Sequence, residues 1–187
     1  MSKVKVGDIA IINGKSLGKN IPFSKIQYLD TGSITNGIIE NIQMIDCNND
    51  TIPSRAKRMV KNNTIVYSTV RPRLRHYGIL HNPQENMIVS TGFVTIDAIE
   101  ERVNPLFLYY SLIKEDVTEY IASIADTAVS SYPSINPSDI ADLEIDIPSI
   151  LEQNKIAEIL SGIDAKISNN NRINAELESM AKTIYDY

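Results

Sequence analysis

One cysteine, Cys47, in 187 residues excludes an internal disulfide and any cysteine-rich zinc site. The two histidines, His76 and His81, have no carboxylate or thiol neighbour at ligand spacing, so neither a metal site nor histidine-based catalysis is expected. No apolar run approaches the roughly 18 residues of a membrane-spanning helix. Residues 1–8 lack the apolar core of a secretion signal, so a cytoplasmic protein is expected. Acidic side chains are missing from residues 51–84, where Arg55, Lys57, Arg58, Lys61, Arg71, Arg73 and Arg75 all fall. With 43% hydrophobic and 22% charged residues, the chain is neither disordered nor a membrane protein by composition.

The net charge of −5 conceals an asymmetry, because residues 1–84 hold twelve basic and five acidic side chains, and residues 85–187 hold six and eighteen. An acid-free basic stretch is where a polyanion would dock; the alternative is a solvated basic face with no partner. Within it, Arg71-Pro-Arg-Leu-Arg75 reads as an extended segment whose alternate arginines project to one side. Guanidinium forks suit phosphate oxygens or guanine edges. The plainer alternative is a basic turn after a strand.

Short runs of β-forming residues at 8–12, 26–29, 37–45, 64–70 and 87–97, broken by Gly, Asn and Pro, predict a mixed and mostly antiparallel sheet. Asn104 then caps a helix with Pro105 at its first position and Leu106, Tyr110, Ile113, Val117, Ile121 and Ile124 at helical spacing. Residues 126–138 are small, hydroxylated and proline-broken, and predict an exposed loop offering Ser130, Ser131 and Tyr132 as hydrogen-bonding groups. Leu143, Ile145 and Ile147 predict a last strand with Asp142, Glu144 and Asp146 on its outward face, as solvated acids rather than a nuclease cluster. Asn104-Pro-Leu-Phe107 resembles a methyltransferase N-P-P-F box lacking one proline, but a helix cap accounts for it and no glycine-rich cofactor loop follows a strand. No enzyme is expected.

Pro148 closes the last strand, and Ser149 with Glu152 three residues later forms a capping box that opens a long helix. Ile156, Ile159, Ile163, Ile173, Leu177, Met180 and Ile184, with Tyr187 closing the series, take the seven-residue spacing of a coiled-coil seam. Lys166 and Asn170 interrupt it, and Leu160, Ile167 and Ala181 widen it enough for more than one neighbour. At 1.5 Å per residue, residues 150–187 would span roughly 57 Å. Asn169 to Asn171 leave a second reading open, a break into a helical hairpin. The expected organisation is an α+β domain over 1–147 followed by a spacer helix over 148–187.

The whole chain resembles the DNA specificity subunit of type I restriction-modification systems, or half of one. The segments that carry the resemblance are Ile147-Pro-Ser-Ile-Leu-Glu-Gln-Asn-Lys-Ile-Ala-Glu-Ile-Leu-Ser-Gly-Ile-Asp164, Ser54-Arg-Ala-Lys-Arg-Met-Val60, Tyr67-Ser-Thr-Val-Arg-Pro72 and Val89-Ser-Thr-Gly-Phe93. Two departures are small: Asn63-Thr64 stands where the family often has Gly-Asp, and Ser149 replaces the second proline of a Pro-Pro pair. Asparagine tolerates a left-handed turn and serine caps a helix, so neither change threatens the fold. The larger departure is one recognition domain where typical members carry two, as in a half-subunit or a fragment.

The resemblance implies a non-catalytic chain that reads a short stretch of double-stranded DNA in the major groove. Its helix would join adenine methyltransferase (modification) subunits, which hold the S-adenosylmethionine, and through them restriction subunits. On that basis Arg55, Lys57 and Arg58 are candidates for phosphates, and Arg71, Arg73, Arg75, Ser130, Ser131 and Tyr132 for base edges. Lys61 and Thr91 complete the DNA-binding set. Two chains would pair antiparallel through Ile156, Ile159, Ile163, Asn170, Ile173, Leu177, Met180 and Ile184, and the target would be an interrupted palindrome. The competing expectation is a coiled-coil interaction scaffold that never touches DNA.

Overall fold

The computed structural model describes residues 2–18, 20–127 and 133–185. The chain opens with β1 (Ser2–Lys5), a single helical turn α1 (Val6–Ile9) and β2 (Ala10–Ile12). There follow β3 (Lys25–Leu29), a hairpin of β4 (Ile34–Thr35) and β5 (Ile38–Ile39), β6 (Gln43–Asp46), β7 (Ala56–Met59) and β8 (Thr64–Ser68). β9 (Tyr77–Leu80), β10 (Met87–Ser90) and β11 (Phe93–Ala98) complete the strand-rich part. Then come α2 (Pro105–Leu112), α3 (Glu115–Thr127), α4 (Pro137–Ala141), β12 (Glu144–Ile147) and α5 (Ile150–Tyr185).

Two four-stranded sheets result, ordered β6-β3-β10-β7 and β2-β11-β8-β9, with small pairs β1-β12 and β4-β5 beside them. β3 and β10 run parallel and the remaining pairs run antiparallel, so the mixed sheet and the α+β class hold. Three expected strands are divided. Residues 8–12 begin as the end of α1. The 37–45 run splits because Asn36 and Gly37, with φ of 49° and 78°, turn β5 back on β4, while β6 joins the first sheet. The 87–97 run breaks at Thr91-Gly92, where the chain crosses from one sheet to the other. A Cβ at Gly92 would lie 2.8 Å from Thr31 Cγ2, so the crossing needs the missing side chain. The helix expected after Asn104 is likewise two helices, parted at Ile113-Lys114.

β8 lies at the centre because it is covered on both faces. Ile65 and Tyr67 face the helices with Leu108, Leu112 and Ile121, while Val66 meets Leu29, Val89 and Phe93 of the inter-sheet layer. All five β8 side chains are buried. Each large apolar side chain taken from water there contributes about 1.5–3 kcal/mol. A third cluster, built on Ile26, Ile45, Ala56 and Ile88, packs Cys47, Phe23 and Met59 against the outer face of the first sheet. A run of rings, Tyr67, Tyr77, Tyr109 and Tyr110, with neighbouring centroids 5.5, 6.5 and 5.3 Å apart, leads from this core to α5. Burial pushes the Tyr67 hydroxyl up to about 12.

The start of α5 is locked to the start of α2. Asn104 Oδ1 accepts from Phe107 N at 3.1 Å, the expected cap. The Asn104 backbone N–H donates to Gln153 Oε1 at 2.9 Å, and Asn104 Nδ2 donates to Asn154 Oδ1 at 2.9 Å. Gln153 is only 1% exposed, and its Nε2 donates to the Pro148 carbonyl at 3.0 Å. The capping box is present too: Ser149 N donates to Glu152 Oε2 at 3.1 Å and Glu152 N donates to Ser149 Oγ at 3.4 Å; the Ser149 hydroxyl, donating to Glu152 Oε2 at 2.8 Å, and then the Ser149 N–H lower the Glu152 carboxyl below its usual range. About three turns on from Gln153, Tyr110 Oη donates to Asp164 Oδ2 at 2.7 Å. Beyond Ser161 every described α5 side chain is exposed, and the helix runs unbroken through Asn169 to Asn171, so the hairpin reading does not apply. Among the described residues no helix is long and apolar enough to cross a membrane.

Replacing Gln153 with alanine leaves the Asn104 N–H and the Pro148 carbonyl without partners, which is expected to cost about 1–3 kcal/mol. Denaturant unfolding together with hydrogen exchange in the first turns of α5 checks this; unchanged stability and protection would reject the lock.

Candidate nucleic-acid interface

β7 is the edge strand of the first sheet, and it carries the basic residues read from the sequence. Arg55 stands immediately before it, Lys57 points to solvent, Arg58 is half-buried and Lys61 follows it. The Arg58 Nε is buried without a hydrogen-bond partner. Residues 15–17 run along the open side of β7, with Leu17 N donating to the Lys57 carbonyl at 2.7 Å and Met59 N to the Lys15 carbonyl at 3.1 Å. That brings the exposed Lys15 into the same patch, a residue the sequence reading missed because forty positions separate it from the basic segment. A charged edge of this kind also discourages pairing with a stray strand.

Backbone hydrogen bonds connect this edge to the next candidate residues. Thr91 N donates to the Arg55 carbonyl at 2.8 Å, and Thr69 N to the Gly92 carbonyl at 2.8 Å. Arg71 N donates to the Pro133 carbonyl at 2.9 Å, and Ile135 N to the Thr69 carbonyl at 2.9 Å. Arg55, Thr91, Arg71 and residues 133–135 therefore follow one line across the ends of β10 and β8. Ser130, Ser131 and Tyr132 lie outside the described residues.

The arginine segment is not extended. Pro72–Leu74 is a 3-10 turn, flanked by Arg71 and Arg75 in the left-handed conformation with φ of 49° and 56°. Arg73 and Arg75 both turn toward α3. Arg73 pairs with Asp126 at 2.8 Å and Glu119 at 3.2 Å, and Arg75 pairs with Glu115 at 2.6 Å, all three acids on α3. Those hydrogen-bonded carboxylates raise both guanidinium pKa values further. Left-handed backbone at non-glycine residues is strained and survives only where surroundings hold it, as the α3 acids do here. A signal existed: Glu115, Glu119 and Asp126 recur on one face of a helix, although spacing alone does not say which cations they meet.

The remaining polar candidates have structural partners. His76 Nδ1 donates to the Ile34 carbonyl at 2.7 Å, and His81 Nδ1 lies 3.1 Å from Asn63 Oδ1. Asn63 is left-handed, φ 62°, as its place in the turn demands. Asp142 pairs with Lys5 at 2.8 Å, and Glu144 and Asp146 face solvent from β12.

The second functional surface is α5. Ile156, Ile159, Ile163, Asn170, Ile173, Leu177, Met180 and Ile184 are all exposed, from 37% at Ile156 to 74% at Ile184 among the apolar ones, so the seam is uncovered in the single chain. Tyr187 lies outside the described residues.

Comparison with known proteins bears on both surfaces. The family described as the type I restriction modification DNA specificity domain matches residues 1–179. The type I restriction enzyme HindI specificity subunit of Haemophilus influenzae is 30% identical over 183 residues, which is 96% of this chain and 39% of that subunit. The MjaIX specificity subunit of Methanocaldococcus jannaschii is 30% identical over 128 residues, 68% of this chain and 28% of that subunit. The HsdS subunit of Thermoanaerobacter tengcongensis has a similar structure, with a TM-score of 0.76 over 98% of this chain and 46% of that one; at 23% identity this supports the fold alone. The chain spans less than half the length of these relatives. With a family match over nearly its whole length, on a fold that ends in the same long helix, the chain belongs to the DNA specificity domain family of type I restriction-modification systems, whose members are non-catalytic.

Proposed function

We propose that residues 1–147 read one half-site of duplex DNA and that the helix from 148 onward joins this reader to adenine methyltransferase subunits. Through those subunits it would also serve restriction subunits, and the place of work is the cytoplasm. The observation that carries the reading is the continuous line from the acid-free β7 edge through Arg55 and Thr91 to Arg71. Arg55, Lys57, Arg58 and Lys61, with Lys15, set the register on phosphates, and Arg71, Thr91, Ser130, Ser131 and Tyr132 face base edges. Arg73 and Arg75 act one step back, since their ion pairs hold the turn that carries Arg71. S-adenosylmethionine belongs to the methyltransferase subunits.

Two copies pair through α5, and the charges favour the antiparallel orientation. In a parallel pair Lys166 would oppose its own copy in the seam. In an antiparallel pair with Asn170 near its mate, Lys166 comes opposite Leu177, between Glu176 and Glu178. Two recognition domains then face the duplex with two-fold symmetry, which calls for an interrupted palindrome.

Two measurements test the DNA reading on the chain assembled with its methyltransferase subunits. Alanine at Lys57 and Lys61 together is expected to weaken DNA binding in a gel-shift assay and to lower the slope of log affinity against log salt by about 0.9 per lost phosphate contact. An unchanged slope would reject those contacts, and no DNA binding by the parent would leave the scaffold reading. Arg71→Ala is expected to relax target choice by roughly tenfold or more at one base pair, the worth of a bidentate base contact. Arg73→Ala should do so less, and Glu119→Gln with Asp126→Asn should reproduce the Arg73→Ala effect; if the acid pair of substitutions leaves target choice intact while Arg73→Ala destroys it, Arg73 itself contacts bases.

A further inference from the structure

Where α5 leaves the globule it overhangs an open groove of about 1010 Å³. α2 and β9 form the floor through Tyr110, Ile113 and Ile79, α5 forms one wall through Ile163 and Ile167, and the β4-β5 hairpin forms the other through Ile38. Ile38 is 62% exposed and Ile39 37%, on a hairpin that contributes no other side chain to the groove beyond Asn36 and Gly37. Apolar surface gathered this way is costly to leave wet and marks a docking face.

We propose that residues 173–184 of a second copy's α5 fill this groove, so that the β4-β5 hairpin grips the far end of the partner helix. The inference rests on the antiparallel pairing proposed above and adds a contact between each copy's helix end and the other copy's recognition domain. Three observations select this occupant. The groove is continuous with the uncovered seam, sharing Ile163 and Ile167 with it. The 36 residues of α5 span about 54 Å at 1.5 Å per residue. Its groove wall lies in the middle, from Leu160 to Asn171, which leaves the distal third without any cover from its own globule. The register agrees as well: with Asn170 near its mate, Met180 of the second copy comes beside Leu160, Ile163 and Ile167, Ile184 comes beside Ile156 and Ile159, and Leu177 comes beside Lys166, whose aliphatic stem can lie along it. Two-fold symmetry fills both grooves with the two helix ends at once, and so fixes the separation of the two recognition domains.

The test uses full chains in a Cys47→Ser background, each with one new cysteine. Ile38→Cys protein is mixed with Leu177→Cys, Met180→Cys or Ile184→Cys protein of different mass and treated with a short bifunctional maleimide, and light scattering is run in parallel. A covalent heterodimer with at least one of the three partners is expected, together with at least a tenfold rise in the dimer dissociation constant for Ile38→Asp. Twice the chain mass without any of the three cross-links would overturn the groove assignment while the helix pairing stands. A single chain mass would overturn both. Loss of the cross-link on adding methyltransferase subunits, with the dimer intact, would give the groove to that partner and overturn the proposal equally.

Discussion

The direction in which the rod leaves the recognition domain rests on one buried amide, that of Gln153. A helix-capping residue has a backbone N–H outside the helical ladder, and a proline before a helix offers a carbonyl that neither strand nor helix consumes. Asn104 and Pro148 are these two residues here, and the two ends of one glutamine side chain serve both. A neutral amide suits the place because it supplies an acceptor and a donor together without the desolvation of a charge. Since α2 is itself packed through Phe107, Leu108 and Leu112 into the main core, the exit angle of α5 is inherited from that core. A spacer is useful only if its root is stiff.

Much of the fold was legible where a local rule and burial agreed. The α5 start had three independent marks, Pro148, Ser149 and Glu152, and each has its expected role. The β8 run is apolar on both faces because it is covered on both faces, so its pattern was plain. Strand division was not legible, since the crossing at Gly92 depends on Thr31, sixty residues earlier, pressing on the place where a Cβ would be. β7 was missed as a strand because Ala56-Lys-Arg-Met59 lies at an edge, where one face needs no apolar residue and alternation is lost.

The candidate interface divides along the same line. Composition alone located the basic segment, because the absence of acids over residues 51–84 is a property of the sequence that folding does not alter. The conformation of Arg71 to Arg75 was beyond reach, since two strained residues around a proline turn are held by contacts distant in sequence, the backbone bond to Pro133 and the acids of α3. An arginine in a basic run is judged by what returns to meet it. Here three carboxylates return, to Arg73 and Arg75 but, among the described residues, not to Arg55, Lys57, Arg58 or Lys61.

On the proposed function, that sorting would let a chain of net charge −5 present a face to DNA. At physiological salt a charge is felt over roughly 8 Å, so a phosphate approaching β7 responds to the lysines and arginines beside it and not to the molecular total. Two groups among the acids of the second half have distinct places. Glu115, Glu119 and Asp126 of α3 pair with Arg73 and Arg75 of the turn, and those of β12 and α5 are exposed to solvent. On that reading the first group would narrow the positive surface and the second would repel a duplex from the other faces. A uniformly basic domain would bind DNA in many orientations, whereas an acidic body with one basic edge would restrict the orientations to those in which, on the proposed function, Arg71 and Thr91 reach the bases. On the proposed function the excess of acid would thus be part of how the reading face is selected.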